Sequence, residues 1–318
     1  MNRVAAIDCG TNSIRLLIAD VSADGTSLTD VVRTMTVVRL GQGVDKTGEF
    51  AAEALERTFA ATDEYAAACR EHGVSAIRFV ATSATRDARN RDEFIAGIKD
   101  RLGVSPEVVS GAEEAALSFR GAVSVIDSAR PAPYLVVDLG GGSTELVIGE
   151  HSPAGAYSMN VGCVRMSERH LVSDPPTAEQ IAAATADIDS AFAEAVLEVP
   201  VAQTRSLVGL AGTITTVTAH ALGLEKYDRD AINGASISID AAIASCDALL
   251  AATREERAAM PFMHPGRIDV IGAGALVWRT VMTRVRDQVE AAGGHLLTTV
   301  TSEHDILDGI AFSVAARA

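Results

Sequence analysis

Apolar and polar positions alternate in blocks along this chain, and one block occurs twice. AIDCGTNSIRLLIAD begins at Ala6 and VVDLGGGSTELVIGE begins at Val136; both run apolar strand, Asp, glycine-containing turn, Ser, apolar strand. Apolar runs broken by a short turn predict a strand–turn–strand hairpin in each. Five pairs are identical at a spacing of 130 residues: Asp8/Asp138, Gly10/Gly140, Ser13/Ser143, Leu16/Leu146 and Ile18/Ile148. A hairpin turn needs one or two glycines, so Gly140, Gly141 and Gly142 in succession point to a backbone that comes close to something else.

The blocks between are of two kinds. LTDVVRTMTVVRLG predicts a third strand, and the spacing of Leu55, Phe59 and Tyr65 predicts a helix over 51–72. SAIRFVATSA reads as a strand running out into a loop, 91–102 as a helix, SPEVVSG as a short strand and about 112–125 as a helix. ARPAP, 129–133, is a proline-rich break and a candidate boundary. Beyond the second hairpin, AGAYSMNVG predicts a strand and helices follow at 164–171 and 177–198, the latter after the start signal DPPT. RSLVGLAGT reads as a strand entering a glycine turn, with helices at 213–221, 240–250 and 267–286. HLLTTVT is a late strand, and SEHDILDGIAFSVA a last helix with Ser302 as its cap. Strands alternating with helices over 318 residues predict an α/β protein of two domains. The expected division is 1–125, with the last helix at about 303–318 packing back on it, and 126–302.

Composition narrows the function. A net charge of −15 repels nucleic acid and anionic membrane, which argues against both as partners. A small anionic ligand needs local help from backbone amides, arginines or a metal ion. The four cysteines are far apart and form no CxxC pair, and the seven histidines show no HExxH or HxH spacing, so neither a disulfide framework nor a histidine metal site is expected. The chain enters a strand pattern within three residues, and its longest late apolar stretch, IDVIGAGALVW, is too short for a bilayer. A cytoplasmic location is the expectation.

Two facing turns, each with a strand-end carboxylate, make an anion site with room for a divalent cation. The hairpins resemble the phosphate-binding loops of the actin, sugar-kinase and Hsp70 superfamily. Within it IDCGTNSIRLLIAD, ATSATRDARN, VSGAEEAALSFRGA, VVDLGGGSTEL, GLAGTITT and RIDVIGAGAL, in that order, resemble the exopolyphosphatase / guanosine pentaphosphate phosphohydrolase family over essentially the whole chain. The resemblance implies two actin-like (ribonuclease H-like) domains with an interdomain active-site cleft. It implies Mg²⁺, with Mn²⁺ as the alternative, inorganic polyphosphate as substrate, and a homodimer. Longer family members carry a C-terminal helical domain that this sequence lacks, which favours shorter polyphosphate chains.

Residue by residue, the resemblance places the catalytic carboxylate on Glu114. A bare Glu113–Glu114 pair reads otherwise as two solvated acids favoured by a helix dipole. Arg86, one of three arginines in its loop, falls on the family's phosphate-contacting arginine, a role suited to a planar guanidinium. Asp138 and Glu145 fall on the Mg²⁺-holding acids, and Asp8 on the first-loop acid that aids the metal directly or through water. By pattern alone, Glu145 is an exposed strand residue; its counterpart in the first hairpin is Arg15. Thr11, Asn12, Ser13, Gly140, Gly141, Gly142 and Ser143 would donate hydrogen bonds to phosphate. Gly212 and Thr213 form a third glycine turn that in related kinases holds adenosine. Rival readings are release of the 5′ γ-phosphate of guanosine pentaphosphate, a sugar- or acetate-type kinase, and a non-catalytic alarmone or polyphosphate sensor. Guanosine pentaphosphate or tetraphosphate could also act as an inhibitor.

Overall fold

The computed structural model describes residues 2–22, 25, 27–127 and 129–315, and the chain divides into two compact units, 1–124 with 305–318, and 125–304. Unit 1 begins with three antiparallel strands, β1 (Asn2–Cys9), β2 (Ser13–Val21) and β3 (Leu28–Val37). After the single-turn α1 (Val44–Thr47) and the long α2 (Ala52–Glu71), β4 (Ala76–Ala81) pairs parallel with β1. Then come α3 (Ser83–Asp87), α4 (Arg91–Leu102), the two-residue β5 (Glu107–Val108), parallel to β4, and α5 (Gly111–Val123). The strand order is β3-β2-β1-β4-β5.

β1 is buried on both faces, which is why its sequence is continuously apolar. Ala5, Ile7 and Cys9 join the core under α2 and α4, while Val4 and Ala6 join a smaller core with Leu117 of α5 and Ile310 of the last helix. Asp8 continues the second face, because side chains alternate along a strand. α2 buries Leu55, Thr58, Thr62, Tyr65 and Cys69, a helical stripe, and the Tyr65 hydroxyl reaches the Ile14 carbonyl of β2 at 3.0 Å.

Unit 2 repeats the plan. β6 (Tyr134–Leu139), β7 (Thr144–Gly149) and β8 (Pro153–Met159) form the antiparallel part, followed by α6 (Cys163–Arg169) and α7 (Ala178–Glu198). β9 (Ser206–Leu210) pairs parallel with β6 and leads into α8 (Ala211–Ala221). The short α9 (Arg229–Ile232) and β10 (Ser236–Ser238) precede α10 (Ile239–Ala251), α11 (Arg254–Ala259) and α12 (Ile271–Ala291); β11 (Thr298–Thr301) closes the sheet. Its order, β10-β11-β9-β6-β7-β8, contains the same 3-2-1-4-5 sequence of strands as unit 1, with β10 added at the edge. α13 (Ile306–Ala315) then returns to unit 1. No helix among the described residues is long and apolar enough to cross a membrane.

Several local expectations need correction. The loop expected after β4 is the helix α3, too short to show a helical period. The glycine turn expected before 213 is the first turn of α8, which starts at Ala211 in the left-handed region, φ 69°. The helix expected at 267–286 is α12 at 271–291, preceded by a 3₁₀ turn at Pro265–Arg267. Ser302 does not cap the last helix: its hydroxyl bonds His304, whereas Asp305 Oδ1 accepts the Leu307 N–H at 3.0 Å and Asp308 Oδ2 accepts the Asp305 N–H at 3.1 Å. Of the helix expected to run to 318, residues 316–318 lie outside the described residues.

Candidate active site

The two hairpins build their turns alike. The Gly10 N–H donates to the Ser13 carbonyl at 3.0 Å, and the Gly140 N–H to the Ser143 carbonyl at 3.0 Å. The carbonyls between are held by the chain that follows each hairpin. Thr11 O accepts from Gly41 at 2.8 Å, and Asn12 O from Val38 and Arg39 at 3.1 and 2.9 Å. In unit 2, Gly140 O accepts from Cys163 at 3.0 Å, Gly141 O from Val164 and Arg165 at 2.8 and 3.1 Å, and Gly142 O from Arg165 Nε at 2.7 Å. A trans peptide sets each following N–H opposite its carbonyl, so the amides of Asn12 and Ser13, and of Gly141, Gly142 and Ser143, point away from those segments. Such successive amides form an anion-binding concavity. Gly162 is glycine for a packing reason: a Cβ there would lie 2.5 Å from the Gly141 carbonyl oxygen, so backbone lies on backbone.

Beyond the turns, the hairpins differ in charge. In unit 1 the register sets Asp8 across from Arg15. Arg15 gives Nε and Nη2 to Asp8 Oδ2, at 2.9 and 2.6 Å, and Nη1 to Asp305. Burial pushes the Asp8 carboxyl up, Arg15 pulls it back, and its net position is above the ordinary value. In unit 2 the same register sets Asp138 across from Glu145. They are 7% and 1% exposed, so Glu145 is not the exposed strand residue its pattern suggests. The Ser158 hydroxyl of β8 donates to Glu145 Oε1 at 2.6 Å. Two carboxylates opposed on paired strands repel each other unless a cation joins them.

The strand ends of unit 1 carry the remaining acid. Ser110 caps α5 by accepting the Glu113 N–H at 3.2 Å, and the first turn then sends its two glutamates apart. Glu113 points outward to Arg78, 2.6 Å away, which also binds Glu107 and Ser313. Glu114 is 8% exposed and receives Arg86 Nη1 at 2.6 Å; the same nitrogen donates to the Val109 carbonyl at 3.1 Å. Burial raises the Glu114 carboxyl, Arg86 lowers it, Asp8 raises it and a hydrogen bond from Thr82 lowers it; the net shift is upward. A carboxylate so placed holds a proton more tightly than a free one and is a stronger proton acceptor, with a guanidinium beside it.

Gly212 and Thr213 form the first turn of α8. A Cβ on Gly212 would meet the Arg267 guanidinium carbon at 2.4 Å, so glycine lets that side chain lie over the helix start. Arg267 Nη1 also donates to Thr216 Oγ1 at 3.1 Å. Arg267, Thr82, Ser158 and Asp305 were not singled out from sequence; Arg267 stood within a quoted motif and carried no assigned role. Thr82 likewise stood within ATSATRDARN without a role, while Ser158 and Asp305 lie in segments read only as a strand and a helix.

The strand orders, repeated hairpins and turns at the carboxyl ends of the central strands define an actin-like α/β protein. Comparison with known sequences narrows that class. The chain belongs to the Ppx/GppA phosphatase family, whose model matches residues 17–296. It is 50% identical over 322 residues to Exopolyphosphatase 2 of Mycobacterium tuberculosis, covering 99% of each chain. It is 34% identical over 216 residues to a guanosine-5'-triphosphate,3'-diphosphate pyrophosphatase of Pseudoalteromonas atlantica, covering 67% of this chain and 42% of that one. A crystal structure of an exopolyphosphatase-like protein superposes with a TM-score of 0.95 at 51% identity, covering 99% of each chain.

Proposed function

We propose that this protein is an exopolyphosphatase, a phosphoanhydride hydrolase that releases terminal orthophosphate from inorganic polyphosphate. The observation that carries the reading is Glu114: a buried carboxylate with a raised proton affinity, held by Arg86, in a chain half identical to an exopolyphosphatase. On unit 1, Glu114 orients a water and takes its proton as the oxygen attacks phosphorus. Arg86 offers its remaining N–H groups to the phosphate oxygens, whose charge spreads in a loose transition state. The outward amides of Asn12 and Ser13, with the Thr11 hydroxyl, and on unit 2 those of Gly141, Gly142 and Ser143, donate to the same kind of oxygen.

Asp138 and Glu145 suit Mg²⁺. The ion takes one or two carboxylates and completes its shell with water and phosphate, and among the described residues no group of three metal-ligating side chains offers a fuller cage. Bound there, Mg²⁺ would neutralise phosphate charge. Asp8, already engaged by Arg15, is the weakest of the three acids as a direct ligand.

The test is orthophosphate release with Mg²⁺ from short polyphosphate, long polyphosphate and guanosine pentaphosphate in parallel, for wild type and Glu114→Gln. Release from polyphosphate that falls by at least roughly 100-fold in Glu114→Gln is expected. Full turnover by the variant would remove Glu114 from its role. Release from guanosine pentaphosphate alone would favour a second reading, supported by the 34% identity to a pyrophosphatase of that nucleotide class.

A further inference from the structure

The segment after β4, through α3 and into α4, carries three arginines, and the structure gives them three fates. Arg86 is turned inward to Glu114. Arg89 is tied to Glu49 and the Thr47 carbonyl, at 3.1 and 2.9 Å. Arg91, the first residue of α4, is exposed and makes no ion pair or hydrogen bond among the described residues. Arg91 nonetheless faces the same space as Arg86: an open groove of about 530 Å³ with Ile95, Pro106 and Val108 among its walls, Ser110 at one side, and Asp92 as the acid that Arg86 and Arg91 outnumber. The groove lies within unit 1 where β4 and β5 end, the edge of a parallel sheet at which ligands bind.

Chemistry then asks what a hydrolase of chain ends must do with the rest of its substrate. When the terminal phosphoanhydride breaks, the leaving group is the shortened chain, and its new end gains negative charge. A protein of net charge −15 repels that chain wherever no cation meets it. We propose that this groove receives the polyphosphate chain behind the phosphate being cleaved, and that Arg91 is its cationic contact. The inference rests on the exopolyphosphatase reading of Arg86 and Glu114 and extends the substrate site away from them. A guanidinium at this point stabilises the polyanion in proportion to how much of the chain reaches it. The contact is therefore idle for the shortest substrates and engaged for long ones.

The experiment separates the two claims. Equilibrium binding of long-chain polyphosphate and of tripolyphosphate is measured on Glu114→Gln and on Glu114→Gln with Arg91→Glu, so that no turnover intervenes. Loss of one charge-assisted contact predicts roughly tenfold weaker binding of the long chain, a smaller loss for tripolyphosphate, and partial recovery in Arg91→Lys. On the active enzyme, Arg91→Glu should raise KM for the long chain with little change in kcat. Equal losses for both ligands, or none, with an unchanged thermal melt, would overturn the groove. Absence of orthophosphate release by wild type would instead overturn the hydrolase reading, while a length-dependent loss of binding would still support Arg91.

Discussion

The strand ends of the two units solve one electrostatic problem in opposite ways. In unit 1 each buried acid has an arginine: Arg15 on Asp8, Arg86 on Glu114. In unit 2, Asp138 and Glu145 face each other on paired strands. Backbone and register are the same, and a single exchange, Arg15 for Glu145, turns a balanced acid–arginine pair into two facing acids. A duplicated scaffold can thus specialise without altering its fold: one half sets arginines against its buried acids, and the other sets one acid across from another.

The largest expected effect comes from undoing that exchange. Glu145→Arg gives the second hairpin the Asp–Arg pair of the first; phosphate release should fall about 1000-fold while the melt stays cooperative. Retained activity with unchanged Mg²⁺ dependence would break the comparison at its root. Next, Arg15→Gln leaves Asp8 and Asp305 buried beside each other without their shared cation. Breaking a buried ion pair of this kind costs about 3 kcal/mol, read as a lowered denaturation midpoint. An unchanged midpoint would mean the triad contributes nothing to unit 1.

Arg86→Gln sharpens the comparison through pH. Arg86 is the largest influence lowering the Glu114 carboxyl, so its loss raises that group further. The base must be ionised to work, so the acidic limb of kcat/KM should move to higher pH, beneath an overall loss of about 100-fold. The stability sign follows the same direction. A carboxyl raised by folding holds its proton longer in the folded state, so its contribution is fully present below the unfolded value and is lost as pH rises through the folded one. An acidic limb that stays in place would show that another group sets it.

Much of the fold was legible because the hairpins repeat in phase, α2 carries an apolar stripe and DPPT marks the start of α7. Glu114 was separable from Glu113 only by resemblance. The reason is local: neighbours on a helix diverge by a quarter turn or more, and which one faces inward depends on how α5 docks, not on its own sequence. Arg15 stood out as the odd partner of Glu145, yet its role depends on Asp305, 290 residues away. The α13 cap was local but still missed: Asp305 and Asp308 lie within six residues of Ser302, and the segment offers several capping side chains between which sequence alone does not choose. Ser158 was invisible because a strand serine gains meaning only from the acid set across from it.

One feature of the chain's path bears on its synthesis. Unit 1 takes its last helix from residues 305–315, after the whole of unit 2. On the ribosome, unit 2 can complete its sheet from one contiguous stretch, whereas β1 and β2 wait, with the Asp8–Arg15 corner lacking Asp305 and the face of Val4, Ala6 and Leu17 uncovered, until residues 305–315 have emerged. Unit 1 is begun before unit 2 and finished after it, and a nascent chain stalled in α12 would display the apolar face that α13 later covers.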